Sequence, residues 1–440
     1  MEKANQSWGH KLILGLQHLF AMFGATIVVP AITGLDPAVA LFAAGGGTLL
    51  FHFITKRKVP VFLGSSFAFM MAIKFVVETE GKEFATGAII CAGACYLIFA
   101  LITKLIGPGK IKRLFPAIVT GPVIIVIGLT LAPTVLFNDI TADFVGGLLW
   151  TKWVVAASVV VTVVVVSICI KGFFKLLPIL LGLVVGYIVA VILHFTVAVP
   201  ETTGALMSFE PIVTSRIIEL PNFHLPKFSW TAILLIIPIS IATFMEHIGD
   251  ITTNGSVVGK DFFKDPGLHR TLIGDGVATM FAGLIGGPAN TTYGENTGVL
   301  AITKNYNPQI IRIAAIYAMV LSVIGYFAGF LQSIPQPVIG GMSIVLFGMI
   351  AAIGIRTMAE AKVDFTSSRN LLILSIVLII GIGITVPINS SFSISGIALA
   401  AFAGIILNAV LPGKDKFDKS KEAKLAEEST TDESATEEEK

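Results

Sequence analysis

Charge is scarce in this sequence. Of 440 residues only 13% are charged, against 55% hydrophobic, and the formal net charge is +2. A water-soluble globule needs more polar surface to cover itself, so that class is excluded. Cysteine is nearly absent too. Cys91, Cys95 and Cys169 all lie inside apolar runs, which rules against a disulfide framework or a thiolate metal site and leaves buried reduced thiols. No GxxxxGK[ST] occurs, so ATP-driven pumping within the chain has no support. His-rich metal-ligand spacing and a Ser/Lys pair are also missing, which argues against a membrane-embedded enzyme.

What fills the chain instead is a series of apolar runs, each of roughly 17–25 residues, the length that crosses a hydrocarbon core of about 30 Å. The first starts near Lys11 and outlasts a signal-peptide core without a small-residue cleavage pattern, so it reads as a retained span. Hydropathy predicts spans near 11–30, 37–55, 60–77, 84–105, 114–132, 152–170 and 177–199. A second set follows near 230–256, 271–287, 289–303, 309–331, 335–355, 370–387 and 393–411.

Loop charge tests that count independently. Lys56-Arg57-Lys58 follows span 2; Lys104, Lys110, Lys112 and Arg113 follow span 4; Lys171 and Lys175 follow span 6. Lys260, Lys264 and Arg270 follow span 8; Lys304 and Arg312 separate spans 10 and 11; Arg356, Lys362 and Arg369 separate spans 12 and 13. The alternate loops, around Asp36, Asp139 to Asp143 and Asn389, have few or no cations. Basic loops face the cytoplasm, so both termini are expected there and the span number is even. Residues 1–10 form a cytoplasmic N-terminus. The segment 412–440, ending "EESTTDESATEEEK", has little to bury and is expected to be a disordered cytoplasmic tail.

An internal likeness at a spacing of 220 residues aligns "PAIVTGPVIIVIG" (116–128) with "QPVIGGMSIVLFG" (336–348), matching Gly121 to Gly341 and Gly128 to Gly348. Span 5 then corresponds to span 12, as two sets of seven require. An odd number of spans per repeat inverts the second copy, a common transporter plan. Spans 3 and 10 correspond as well, and both are poor helices. "VPVFLGSSFAF" carries Pro60, Gly64, Ser65 and Ser66; "GGPANTTYGENTG" carries Gly287, Pro288, Gly294 and Gly298. Paired interruptions in corresponding spans point to a transport site, because non-helical backbone at membrane depth survives only beside protein or a water-filled cavity. The amides freed at half-helix N-termini favour a ligand's partly negative oxygens. The competing reading is two loops that merely pack.

Span 8 holds the ionisable run "MEHIGDI". Glu246 and Asp250 are four residues apart and share a helix face, while His247 points elsewhere and reads as structural. Glu295, in "NTTYGENTG", is a third carboxylate at membrane depth. Such groups are costly in lipid and face an interior or aqueous path. Acids gathered in a low-dielectric pocket resist joint ionisation, which suits reversible proton binding. Each has a structural alternative as a buried tie between helices, strongest for Asp250 near the cytoplasmic end. Gln17 and His18 interrupt the apolar first span, where a satisfied core histidine competes evenly with a functional one.

"ENTGVLAITK" (295–304) resembles the signature of the nucleobase–ascorbate transporter family: Gln, Glu or Pro, then Asn-x-Gly, four residues, Thr, and a basic residue or Gly. "LQHLFAMFGATIVVP" (16–30), "LGSSFAF" (63–69), "EHIGD" (246–250) and "DPGLHR" (265–270) resemble the same family in the same order. The likeness covers residues 11 to about 411, and the bacterial uracil-type members are the nearest.

The resemblance implies an all-α polytopic membrane protein of 14 spans in two inverted repeats of seven, with spans 3 and 10 interrupted by short extended segments. Residues 11–105 and 230–331 (spans 1–4 and 8–11) form a core domain, and residues 114–199 and 335–411 (spans 5–7 and 12–14) a gate domain. It implies substrate between spans 3 and 10 beside span 8, with proton symport across the plasma or inner membrane. By position, Glu246 and Glu295 are the substrate carboxylates, the amides of Phe67 and Gly294 donate to a substrate carbonyl, and Tyr293 and His18 support them. Glu246, Asp250 and His18 are the candidates for proton coupling. Some uracil-type members have His where this chain has Asp250, and purine-type members often have Asp.

Uracil offers two ring N–H donors and two carbonyl acceptors, which carboxylates and half-helix amides match. Glu at 295 suits such a ligand, whereas Gln there is commoner for xanthine-type substrates of the family. The expected partners are uracil or a related nucleobase, protons and the lipid bilayer, with no nucleic acid and no cofactor; homodimer formation is left open. A xanthine or purine permease is the alternative. An anion exchanger of the same architecture fits less well, because gathered acids repel an anion.

Overall fold

The computed structural model describes residues 7–107, 110–111, 114–134, 149–171, 173–197, 206–384, 386–389 and 392–412. The tail 413–440, residues 1–6, the loop Asp139 to Asp143 and the basic residues Lys112 and Arg113 lie outside the described residues. The chain is mostly helical. Its first half holds α1 (Trp8–Thr33), α2 (Pro37–Ile54), strand β1 (Leu63–Ser65), α3 (Met70–Thr79), α4 (Lys82–Ile106), α5 (Ala117–Thr134), α6 (Leu149–Cys169) and α7 (Pro178–Thr196). The second half holds α8 (Trp230–Val258), α9 (Leu268–Leu284), strand β2 (Asn290–Thr292), α10 (Gly294–Thr303) and α11 (Pro308–Ser322), then α12 (Gln336–Glu360), α13 (Ser368–Gly383) and α14 (Gly396–Val410). Among the described residues, seven of these helices are long and apolar enough to cross a membrane, and four shorter ones are apolar.

Local chemistry explains the boundaries. Asp36 caps α2 by accepting from the amides of Ala38 (2.7 Å) and Val39 (3.3 Å), with Pro37 in the first turn. Some predicted spans prove discontinuous. Turn residues at Ile237 and Pro238 bend α8, since proline lacks the donor a helix interior needs. Span 11 breaks at Val323 and Ile324 and resumes as Gly325–Gln332, where Ile324 pairs with Ile218 of the segment before α8. The ends expected at 387 and 393 are extended instead. Strand β3 (Val386–Asn389) pairs antiparallel with β4 (Phe392–Ile394), because Pro387 disfavours helix before it and β-branched residues suit strands.

Packing sorts the helices. α9 lies against α4 and α2, and α11 against α1 and α2; α12 lies against α5 and α6, with α13 and α14 also on α5. α8 touches both sets, through α4 and α10 on one side and α5 and α14 on the other. Two close crossings use glycine on both helices. A Cβ on Gly93 would stand 2.7 Å from the Gly276 carbonyl, and one on Gly354 2.5 Å from the Gly121 carbonyl. Small residues let helix backbones approach where lipid supplies no hydrophobic drive.

Three polar clamps join segments that the loop-charge pattern assigns to one side. The Lys58 ammonium pairs with Asp265, Lys11 Nζ donates to Gln309 (2.9 Å), and Arg369 Nη2 donates to the Asn408 carbonyl (2.9 Å). On the other side Asn222 donates to Asp36 (3.1 Å), and the Lys227 amide donates to the Glu83 carbonyl (2.9 Å).

Candidate functional site

The two interrupted segments meet in the middle of the molecule. β1 and β2 run antiparallel with Leu63 opposite Thr292, Gly64 opposite Thr291 and Ser65 opposite Asn290. Flanking bonds extend the ladder, from the Tyr293 amide to the Phe62 carbonyl (3.0 Å) and from the Ser66 amide to the Ala289 carbonyl (2.7 Å). Both strands are buried. Extended backbone there must satisfy its own polar groups, and crossed pairing does so. Side chains brace the crossing. Thr48 Oγ1 accepts from the Leu63 amide (2.9 Å), and the Asn290 amide group donates to the Ala43 carbonyl (3.0 Å). Tyr293 donates its phenol hydrogen to the Ser65 carbonyl (2.9 Å), and Thr26 Oγ1 lies 3.4 Å from that phenol.

Helices begin where the strands end. α10 starts at Gly294, separated from β2 by Tyr293 alone, and α3 starts at Met70, five residues beyond Ser65. Among the described residues neither the Phe67 nor the Gly294 amide donates to a protein acceptor. Both stand at the N-terminal approach to a helix, where unpaired N–H groups and the helix dipole favour an oxygen acceptor. The Phe67 ring packs edge-on to Phe347 of α12, with centroids 5.5 Å apart.

Around this crossing the carboxylates gather. Glu246 and Asp250 on α8 and Glu295 in the first turn of α10 lie within range of one another's charge. They and Gly294 are half-buried, whereas Thr292, Tyr293 and Asn296 beside them are buried. Thr292 Oγ1 donates to Asp250 (2.7 Å), tying β2 to α8. One oxygen of Glu246, Oε2, is buried without a hydrogen-bond partner. A cleft between α8, α10 and α12 opens from Asp250 and Gly294 past Thr253, Thr297 and Gly298 to Arg356.

His18 joins the site through Asn296, the residue after Glu295. It is buried in α1, and Asn296 of α10 reaches both its carbonyl (2.9 Å) and Nδ1 (3.2 Å). The structure therefore brings Glu246, Asp250, Glu295, Gly294 and Tyr293 together, and pairs His18 with Asn296 of α10.

Sequence reasoning missed Asp275. This carboxylate of α9 is buried and lies within charge range of Glu246 and Asp250. Its Oδ2 sits 2.9 Å from His247 Nδ1. The signal was present, since Asp275 falls inside the predicted span 271–287 and an acid there has the same warrant as Glu246. Thr292 and Asn254 also escaped notice; Asn254 bridges the Pro60 carbonyl (3.3 Å) and Thr297 (3.1 Å). Among the described residues no group of three His, Cys, Asp or Glu is arranged to hold a metal ion.

Comparison with known proteins decides the family. The model described as "Permease family", the xanthine–uracil permeases, matches residues 9–390. The chain belongs to the nucleobase–ascorbate transporter family. It is 43% identical over 409 residues to a probable uracil permease of Haemophilus influenzae, covering 93% of this chain and 96% of that one. It is 42% identical over 413 residues to the uracil permease of Bacillus caldolyticus (92% and 93%), and 40% identical over 399 residues to that of Escherichia coli K12 (90% and 90%). Among solved structures, the transmembrane domain of a cyanobacterium bicarbonate transporter superposes with TM-score 0.60 at 14% identity, covering 92% of this chain and 98% of that one. Murine Solute Carrier 26 family member A9, an anion transporter in the inward-facing state, gives 0.65 at 9% identity (93% and 69%). These two likenesses show a shared fold.

Proposed function

We propose that this family member is a uracil permease of the cell membrane, importing uracil with protons by alternating access. The observation that carries the reading is the convergence at the β1–β2 crossing. Glu295 and the free Gly294 amide start one helix, the free Phe67 amide approaches the other, and Glu246 faces them from α8. Carboxylates accept from the ring N–H groups of uracil and amides donate to its carbonyls, so each buried partner is satisfied. The names of relatives at about 40% identity over nine-tenths of the chain support uracil as the base.

In this reading the chain makes 14 spans as two inverted sevens. Counterpart segments pack on each other, β1 on β2 and α5 on α12, as a pseudo-twofold through the centre requires. Spans 1–4 and 8–11 are the core, spans 5–7 and 12–14 the gate. Both termini are cytoplasmic. The cleft toward Arg356 is then an inward path between core and gate. Glu246 combines substrate contact with proton binding, Asp250 shares the proton, and His18 supports α10 through Asn296. Two copies associating is compatible with the large lipid-facing surface of α6 and α7.

Purified protein in proteoliposomes tests the substrate. Labelled uracil uptake should be displaced by unlabelled uracil and poorly by xanthine or adenine, because a site built for paired donors and acceptors discriminates strongly. Displacement by purines at equal concentration would overturn the choice of uracil.

A further inference from the structure

Behind the carboxylates lies a second polar cluster that substrate recognition leaves unused. His247 and Asp275 are wholly buried. His247 Nδ1 is 2.9 Å from Asp275 Oδ2, and Nε2 is 3.0 Å from Thr271 Oγ1, whose hydroxyl is 2.9 Å from the Leu268 carbonyl. Tyr96 of α4 closes the cluster, its ring edge-on to the imidazole at 6.4 Å.

A proton on Asp275 Oδ1 would be a buried donor without an acceptor, and with that case set aside hydrogen counting leaves two arrangements. In the first, Thr271 donates to the Leu268 carbonyl and accepts from Nε2–H, and one further proton is shared between Nδ1 and Oδ2. The pair then has no net charge, whether that proton sits on nitrogen or oxygen. In the second, Thr271 donates to a bare Nε2, and Nδ1–H serves an ionised Asp275. That arrangement buries a net negative charge whose other oxygen, Oδ1, has no hydrogen-bond partner. It does so within charge range of Glu246 and Asp250, which themselves feel Glu295. An unpaired buried charge is expensive, and like charges nearby add to the cost. The remaining helices packed on α8 at this depth, α5 and α14, bring no titratable group.

We infer that His247 and Asp275 hold one proton between them, with Nε2–H fixed on Thr271, and form a neutral pair that leaves Glu246 as the proton-exchanging acid next to it. They are positioning residues for proton-coupled transport, and this role rests on the symport reading above. The proton count within the pair does not.

Two arms test it. Protein with nitrogen-15-labelled histidine, reconstituted in lipid, is followed by nuclear magnetic resonance, with His247 assigned through its perturbation in Thr271→Val. The inference requires a protonated Nε2 in the folded, uracil-binding protein. A bare Nε2 overturns it. In the second arm His247→Gln replaces the imidazole with a neutral amide and leaves Asp275 to exchange its own proton beside Glu246. The pH at which uracil uptake is half-maximal should then move by about one unit or more, because two acids in a low-dielectric site titrate as a coupled pair. Uracil binding and melting temperature, which report folding, should be retained. A folded variant with an unmoved profile overturns the inference. Should wild-type uptake ignore a pH gradient, symport falls and with it the pair's role in transport, while the nitrogen spectrum still reads the pair's proton count.

Discussion

The two interrupted segments share a plan and differ in cargo. β1 leads through Ser66, Phe67, Ala68 and Phe69 into α3, a stretch without an ionisable side chain before Lys74. β2 passes through Tyr293 into α10, whose first turn carries Gly294, Glu295, Asn296 and Thr297. The first supplies a free amide and an aromatic face, while the second adds a carboxylate and the bonds that fasten it to α1 and α8. The paired segments therefore present different surfaces, which suits a ligand whose edges alternate donors and acceptors.

Breaking the second segment should cost most. A Cβ on Gly294 would stand 3.3 Å from Ile353 Cδ1 and narrow the approach of a ligand to the amide. Gly294→Val should lose uracil binding by calorimetry while keeping a normal melting temperature; unaltered affinity would mean that this backbone does not touch the ligand. Glu295→Gln keeps size but turns one acceptor into a donor facing a ring N–H. A mismatched buried hydrogen bond costs about 1–3 kcal/mol, so affinity should fall about tenfold or more. Thr292→Val removes only the 2.7 Å bond to Asp250. A loss of about 1 kcal/mol, roughly fivefold in affinity, is expected there, and a larger loss than for Glu295→Gln would reverse the ranking of the two residues.

The smallest effect belongs to an exposed surface clamp. The Lys58 ammonium holds the exposed Asp265 carboxyl below the usual carboxylate range. A depressed folded value means that any stability it lends is present above the usual range and is lost as pH falls from there through the depressed value. Lys58→Ala should leave uptake unchanged at neutral pH, and any drop in melting temperature should vanish in acid.

Much of this architecture could be read in the residues. The glycine, proline and serine cluster at 60–66 and its counterpart at 287–298 announced extended backbone, because those residues punctuate helices. That the two strands would pair with each other, Leu63 to Thr292, could not be read, since register depends on contacts 225 to 229 residues apart in the chain. Glu246, Asp250 and Glu295 stood out as acids in apolar runs. Asp275 carried the same signal and was passed over beside the richer "EHIGD" motif, and its pairing with His247 needed the crossing of α8 and α9. The break at Val323 had no proline to mark it; a loop strand at Ile218 satisfies the freed backbone there.

The measurement that tests the account most directly is uptake of labelled uracil by proteoliposomes holding wild-type protein or Glu246→Gln, with and without an imposed pH gradient. Gln mimics the protonated acid, so the variant should keep measurable uracil binding but cannot release a proton. Wild-type protein should concentrate uracil only when the outside is acidic, and Glu246→Gln should not concentrate it at all. Accumulation by Glu246→Gln against the uracil gradient would contradict the assignment of Glu246, and wild-type uptake indifferent to the pH gradient would contradict proton symport itself.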